Sequence, residues 1–225
     1  MTALALALAG CGDEAKDERD SAGGDSATTA PATTTTEAEP QAAGCKRVKK
    51  PAPKPDGGQE KPPNALDSSK TYRLVVKTNC GEFTIQLDQK QAPKTSASLV
   101  SLAEKKFFDG TTFHRIVPDF VIQGGDPTAT GSGGPGYSTR DKVPADATYT
   151  KGVVAMAKTQ SEPPGTAGSQ FYVVTGADAG LPPEYAVVGK VSDGQDVVDR
   201  IGQLGDASEQ PTQTVLIESM RVEES

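Results

Sequence analysis

Phe113-His114-Arg115-Ile116-Val117-Pro118-Asp119-Phe120-Val121-Ile122-Gln123-Gly124-Gly125-Asp126 is the stretch on which the reading of this chain turns. It contains the only histidine of the sequence. Its branched and aromatic runs, 112–116 and 120–123, read as two short strands. Asp109-Gly110 is a turn signal ahead of them, and a Gly/Pro-rich loop follows from Gly124 to about Pro144.

The same pattern extends outward on both sides. Upstream, Tyr72-Arg-Leu-Val-Val-Lys is rich in branched residues, Asn79-Cys80-Gly81 supplies a turn, and Glu82-Phe-Thr-Ile-Gln-Leu alternates polar and apolar like a half-buried strand. Ala92-Pro93 opens a helix, with proline in the first turn where its missing N–H costs nothing, and Phe107-Phe108 closes it. Downstream, short strands are expected at 153–157, 170–174 and 186–191, a short helix around Val197, Val198 and Ile201, and a closing strand at 214–222. Many short strands, few helices and turn-rich connections predict a mainly β domain, an antiparallel barrel with helices over its ends.

Composition bounds that domain. Every Phe and Tyr lies between Tyr72 and Tyr185, whereas roughly the first 65 residues are Ala, Thr, Pro, Gly and charged. Such a stretch buries too little apolar surface to offset the entropy of ordering it, so residues 11–65 are expected as a disordered linker and 66–225 as one folded domain. The net charge of −7 excludes a nucleic-acid partner, and the brief basic run Lys46-Arg47-Val48-Lys49-Lys50 reads as solvated linker. Serine and cysteine hydrolases fail on inventory, because the one histidine lies inside the strand block and no Gly-x-Ser-x-Gly elbow is present. No cysteine has CxxC or metal-ligand spacing, so neither a metal nor a cofactor is expected.

The block 113–126 resembles the signature of the cyclophilin-type peptidyl-prolyl cis–trans isomerases, in which Phe-His-Arg leads to Gln-Gly-Gly-Asp. Met156-Ala157 followed by Gly168-Ser169-Gln170-Phe171-Tyr172, and Val187-Val-Gly-Lys-Val, resemble two further family segments, in order, across about residues 71–222. The resemblance implies a closed, eight-stranded antiparallel barrel capped by two helices, an isomerase of X–Pro bonds, and proline-containing peptide segments as partners of a monomer. It also implies that Arg115 is the catalytic cation, with Gln123 positioning it and Phe120, Val121, Tyr172 and Leu181 forming the proline pocket. The main chain at Ala157 and Lys158 would bind the extended peptide, Gln170 would line the groove, and His114 would be structural or groove-lining. Four departures stand out. Gly180 occupies the place of a tryptophan found in several members, Tyr185 that of a histidine, and Val121 and Tyr172 those of methionine and phenylalanine. A peptide-binding module with the same fold and negligible turnover is the competing reading, and the presence of Arg115 with Gln123 and Phe120 favours the enzyme.

The chain opens with an apolar run, residues 1–10, that has the length of a signal-peptide core and ends in Leu8-Ala9-Gly10-Cys11. That ending resembles the lipobox of bacterial lipoproteins. The resemblance implies a lipid on Cys11, a linker beyond it, and a domain held at the outer face of the cell membrane. With Cys11 so used, Cys45 and Cys80 remain as an even pair that an exported protein could bond.

Overall fold

A computed structural model of the chain describes residues 44–63 and 65–225. Cys11, the apolar run before it and the tail to residue 43 lie outside the described residues. Among the described residues there are ten strands and two helices: β1 (Tyr72–Thr78), β2 (Gly81–Leu87), α1 (Pro93–Glu104), β3 (Arg115–Val117), β4 (Val121–Gly124), β5 (Thr139–Arg140), β6 (Val153–Met156), β7 (Thr166–Ala167), β8 (Phe171–Val174), β9 (Val187–Asp193), α2 (Gln195–Gly202) and β10 (Ile217–Glu224). Eight strands form one curled antiparallel sheet in the order β10-β1-β2-β9-β6-β8-β4-β3, and β5 pairs with β7 in a separate two-stranded sheet.

The expected closed barrel is corrected here, because the sheet has two ends. β10 and β3 form no ladder with each other. The segment before β3 meets the start of β10 and the residues just before it, through the isolated bridge Thr112–Leu216, the bond from Phe113 N–H to the Val215 carbonyl (3.0 Å) and that from Ile217 N–H to the Thr111 carbonyl (2.8 Å). Thr112 accordingly stands outside β3, two residues after the turn at Gly110.

Period-two alternation gives the sheet two apolar faces. Ile116, Ile122, Phe171 and Val173 turn inward to the main core with Phe83, Phe108 and Phe113. There Phe171 meets Phe108 and Phe113 edge-on at 6.0 Å. Val121, Tyr172 and Val174 turn outward and join Tyr149, Val153 and Ala155 in a second, smaller cluster. A residue slip in β4 or β8 would exchange the two sets, so the register is held by both cores.

Helix α1 has no side-chain cap at Ala92. The orphan N–H groups of its first turn find a remote carboxylate instead: Lys94 and Thr95 N–H donate to Asp141 at 3.2 and 2.8 Å, and the Thr95 hydroxyl adds a bond of 2.6 Å. Asp141 directly follows β5, which fixes the two-stranded sheet against the helix end.

The segment 44–63, expected as free linker, has no helix or strand but lies along the domain. Cys45 is fully buried and disulfide-bonded to Cys80. Lys54 N–H donates to the Pro127 carbonyl (2.8 Å). Its ammonium donates to the carbonyls of Lys106, Phe107 and Asp109 just beyond α1. Composition reports what a segment can bury by itself, and this strap is held by bonds to a surface the domain provides.

Candidate active site

The short hairpin β3–β4 builds the site. Arg115 and Gln123 are register partners, as are Val117 and Val121, and both pairs occupy the face opposite Ile116 and Ile122. Gln123 in turn faces Tyr172 across β4–β8, and Val121 faces Val174. A cation, an amide and apolar side chains thus come to one surface by strand geometry alone.

Arg115, Phe120, Val121 and Gln123 enclose a cavity of about 260 Å³ together with Ala157, Lys158, Tyr172, Leu181 and Tyr185. These are nine of the ten side chains that the sequence placed in the site, apart from His114. Gln170, the tenth, lines an adjoining cavity of about 590 Å³ that shares Gln123, Ala157 and Lys158 with the first. Together they make a continuous groove over the second apolar cluster. His114 stands apart: it lines a different cavity with Lys50 and Gln213, and its ring makes no well-formed hydrogen bond, only an approach to the Thr112 main chain that favours the protonated form. Burial pulls its pKa below the usual imidazole range, with Asp126 opposing the shift and Arg115 and Lys50 adding to it.

The walls are aromatic. Tyr185 meets Tyr172 and Tyr149 edge-on at 5.8 and 5.9 Å. Tyr149 holds Tyr185 by its main chain, donating to the Tyr185 carbonyl (2.9 Å) and accepting from its N–H (3.0 Å). Tyr172 is 4% exposed and its hydroxyl has no partner. Burial, with Tyr149 and Tyr185 adding, raises its pKa far above that of a free phenol, so the group is a neutral phenol throughout the working pH range.

Two cations border the groove, and both are fixed. Lys158 pairs with Glu184 at 2.9 Å, lies 5.3 Å from the Tyr185 ring centre, and exposes only 2% of its side chain. Arg115 is more open: its Nε donates to Glu209 Oε2 at 2.6 Å, its Nη1 reaches Gln123 Oε1 at 3.4 Å, and its guanidinium lies 6.0 Å from the Phe120 ring centre. The bond from Arg115 holds the Glu209 carboxyl below the usual range.

Glu209 is a site residue that sequence reasoning missed. It lies in a polar turn where Asp206 accepts from the N–H groups of Ser208 (2.7 Å) and Gln210 (3.0 Å), and it adopts φ 63°. Its carbonyl accepts from Ile116 N–H at 3.0 Å, which hooks the turn to β3 beside Arg115. That left-handed φ, uncommon for a residue other than glycine, is not visible in a sequence.

A hydrogen-bonded loop closes the far side. Asp126 is fully buried and accepts from Thr128, Thr130 and Gly131 N–H. Burial pushes its pKa up, but these bonds outweigh that and hold the carboxyl below the usual range. A Cβ at Gly133 would collide with Asp126 Oδ1, so the loop tolerates only glycine there. The Gly133 carbonyl then accepts from Gln170 Nε2 at 2.9 Å, and Gln170 Oε1 accepts from Gln123 Nε2 at 3.0 Å.

Known proteins resemble this chain in sequence and in fold. The family described as "Cyclophilin type peptidyl-prolyl cis-trans isomerase/CLD" matches residues 73–222. Peptidyl-prolyl cis-trans isomerase A of Mycobacterium tuberculosis is 37% identical over 171 residues, covering 68% of this chain and 92% of that protein. Peptidyl-prolyl cis-trans isomerase-like 1 of Neurospora crassa is 37% identical over 154 residues, covering 66% and 93%. Among solved structures, a cyclophilin-type isomerase of Cryptosporidium parvum superposes with a TM-score of 0.63 at 28% identity, covering 68% of this chain and 98% of that one. A second structure of that protein, in the presence of the dipeptide Ala-Pro, gives a TM-score of 0.62.

Proposed function

The chain belongs to the cyclophilin-type peptidyl-prolyl cis–trans isomerase family, and on that premise we propose that Arg115 is its catalytic cation. The protein is an enzyme that accelerates rotation about X–Pro bonds. That rotation faces a barrier of about 18–20 kcal/mol, because amide resonance gives the C–N bond double-bond character. No bond is broken and no proton need move. The task is to favour the twisted amide, in which the prolyl nitrogen has withdrawn its lone pair from the carbonyl and can accept a hydrogen bond.

The observation that carries the reading is Arg115 itself, held at the rim of an apolar aromatic cavity by Glu209 and Gln123. Of five guanidinium N–H donors, two are engaged by these partners, and the other three remain for the substrate. A donor fixed before the reaction costs no reorganisation at the transition state. Phe120, Val121, Leu181 and the tyrosine walls receive the pyrrolidine ring. The Ala157 N–H is committed to the Gln170 carbonyl (2.9 Å), so the Ala157 carbonyl is the acceptor offered to an extended peptide.

The test is isomerisation of an X–Pro peptide by the full chain beside Arg115→Ala. Loss of one preorganised donor costs about a hundredfold or more in turnover, with the fold intact. Wild-type turnover in the variant would instead make the groove a peptide-binding surface whose cation has no catalytic part.

The same proposal extends to location: a lipid on Cys11 holds the enzyme outside the cytoplasm, where it acts on proline-containing segments of exported proteins. Leu8-Ala9-Gly10-Cys11 supports it, as does a disulfide between the other two cysteines, a bond typical of oxidising compartments. Fatty-acid labelling of the full chain in a bacterial host should mark the wild type and not Cys11→Ser. Equal labelling of both would remove the anchor.

A further inference from the structure

The strap 44–63 meets the groove from Asp56 to Lys61, whose ammonium donates to the Ser138 carbonyl at 2.9 Å. Gly57 N–H donates to the Gly134 carbonyl (2.9 Å) and Gln59 N–H to the Pro135 carbonyl (3.0 Å). In return, Gly134 N–H donates to Asp56 Oδ1 at 2.8 Å. The approach is close enough that a Cβ on Gly136 would sit 3.0 Å from Gly57 Cα. Asp56 also lines the larger half of the groove.

From that point an unbroken series of hydrogen bonds leads to the reacting centre. Asp56 fixes the Gly133–Gly134 peptide by holding the Gly134 N–H. The carbonyl of that same peptide unit is Gly133 O, which accepts from Gln170. Gln170 accepts from Gln123, and Gln123 accepts from Arg115. Because a peptide unit is planar, orienting its N–H orients its carbonyl. Each amide donates on one side and accepts on the other, so the links share one sense and polarise one another.

We infer that Asp56 is a positioning residue of the isomerase, acting from outside the family-matched region through the Gly133–Gly134 peptide, Gln170 and Gln123 to aim Arg115. The inference rests on the reading of Arg115 as the cation of the reaction. The strap adds to what Asp126 already holds at the Gly131 end of the loop, and it matters because four of the six residues 131–136 are glycine and have no side chain to fix the Gly133–Gly134 peptide. The strap remains pinned at Cys45–Cys80, at Lys54 and by Gly57, Gln59 and Lys61 when Asp56 is changed, so substitution releases the Asp56 bond to Gly134 N–H alone.

The experiment compares the full chain with Asp56→Ala and Asp56→Asn in kcat, KM and the side-chain amide NMR resonances of Gln123 and Gln170. Asparagine keeps the Oδ1 acceptor, whereas alanine removes it. Expected are a fall of about two- to tenfold in kcat for Asp56→Ala, the rate equivalent of one hydrogen bond, with KM nearly constant. Both amide resonances should shift in that variant and return in Asp56→Asn, which should turn over like the wild type. Unmoved amides and unchanged kcat in Asp56→Ala would overturn the inference, as would an Asp56→Asn variant as impaired as the alanine. Should Arg115→Ala keep full turnover, the cation reading falls instead, while the amide resonances still report whether the relay exists.

Discussion

Glu209 Oε2 accepts the Arg115 Nε–H at 2.6 Å, across a turn that is also bonded to β3 through Ile116 N–H. The carboxylate therefore sets the guanidinium plane and leaves its other edge to the groove. Half of the Glu209 side chain is exposed, so the pair adds little to the stability of the fold. Its effect belongs to the reaction. Glu209→Ala should lower kcat by about two- to tenfold while the urea midpoint stays in place, and Glu209→Gln should recover part of the loss through its amide oxygen. Turnover of Glu209→Ala equal to wild type would mean that Gln123 alone aims the arginine.

Tyr172 raises a separate question, because a buried hydroxyl without a partner is a cost in the folded state. Removing it while keeping the ring should help the fold. Tyr172→Phe should raise unfolding free energy by about 1 kcal/mol or more, with the edge-on packing against Tyr185 retained. Equilibrium urea unfolding reads this directly. A destabilised variant would show that the hydroxyl has a partner in solution.

How much of this was legible beforehand differs element by element. The family resemblance named Arg115, Phe120 and Gln123 together, and the period-two register of the β3–β4 hairpin is what brings residues 115 and 123 opposite each other in the structure. The strand at 112–116 was drawn too long, since Thr112 is held by isolated bridges to Asp126 and Leu216 and not by a ladder. Strands β5 and β7 have two residues each and lie in polar, Gly/Pro-rich loops, where no periodicity can register. The open sheet ends escaped notice because closure depends on how far β10 and β3 extend, which is a tertiary outcome. Glu209, Asp141 and Asp56 act across separations of 94, 46 and 78 residues, beyond any local pattern. His114 matched a motif and yet turned to the other side of its strand end.

His114 gives the fold a pH dependence with a definite sign. Its folded pKa is lowered by burial, so the unfolded chain, titrating near about 6.5, binds the proton more readily. The stability conferred by keeping it neutral is fully present above that value and is lost as pH falls toward the folded pKa. Asp126 and Glu209, whose carboxyls are lowered, begin to lose theirs only near the ordinary carboxylate range, about two pH units further down. With one histidine in the chain, the urea midpoint should fall between about pH 7 and 5.5 in the wild type and remain level in His114→Asn. A wild-type midpoint that is flat over this window would place the ring in water. The reaction moves no proton, so turnover of the folded enzyme should not follow that curve.

The Cys45–Cys80 bond closes a loop of 35 residues that joins the strap to the β1–β2 turn. In the chain-entropy account such a loop restricts the unfolded state by about 3–4 kcal/mol. The sulfurs lie in the main core, and Arg200 braces the same turn by donating to the Cys80 carbonyl at 2.7 Å. Apart from Cys45, residues 66–225 hold both apolar clusters and the ten strands of the described residues, so the reduced protein should remain folded. Reduction should therefore lower the unfolding free energy by about 2–4 kcal/mol, read as a shift of the urea midpoint with and without dithiothreitol. The Cys45→Ser variant should unfold at the reduced midpoint whether or not reductant is present. Identical midpoints for oxidised and reduced wild type would show that the strap already holds its place in the unfolded chain, and that the bond constrains nothing.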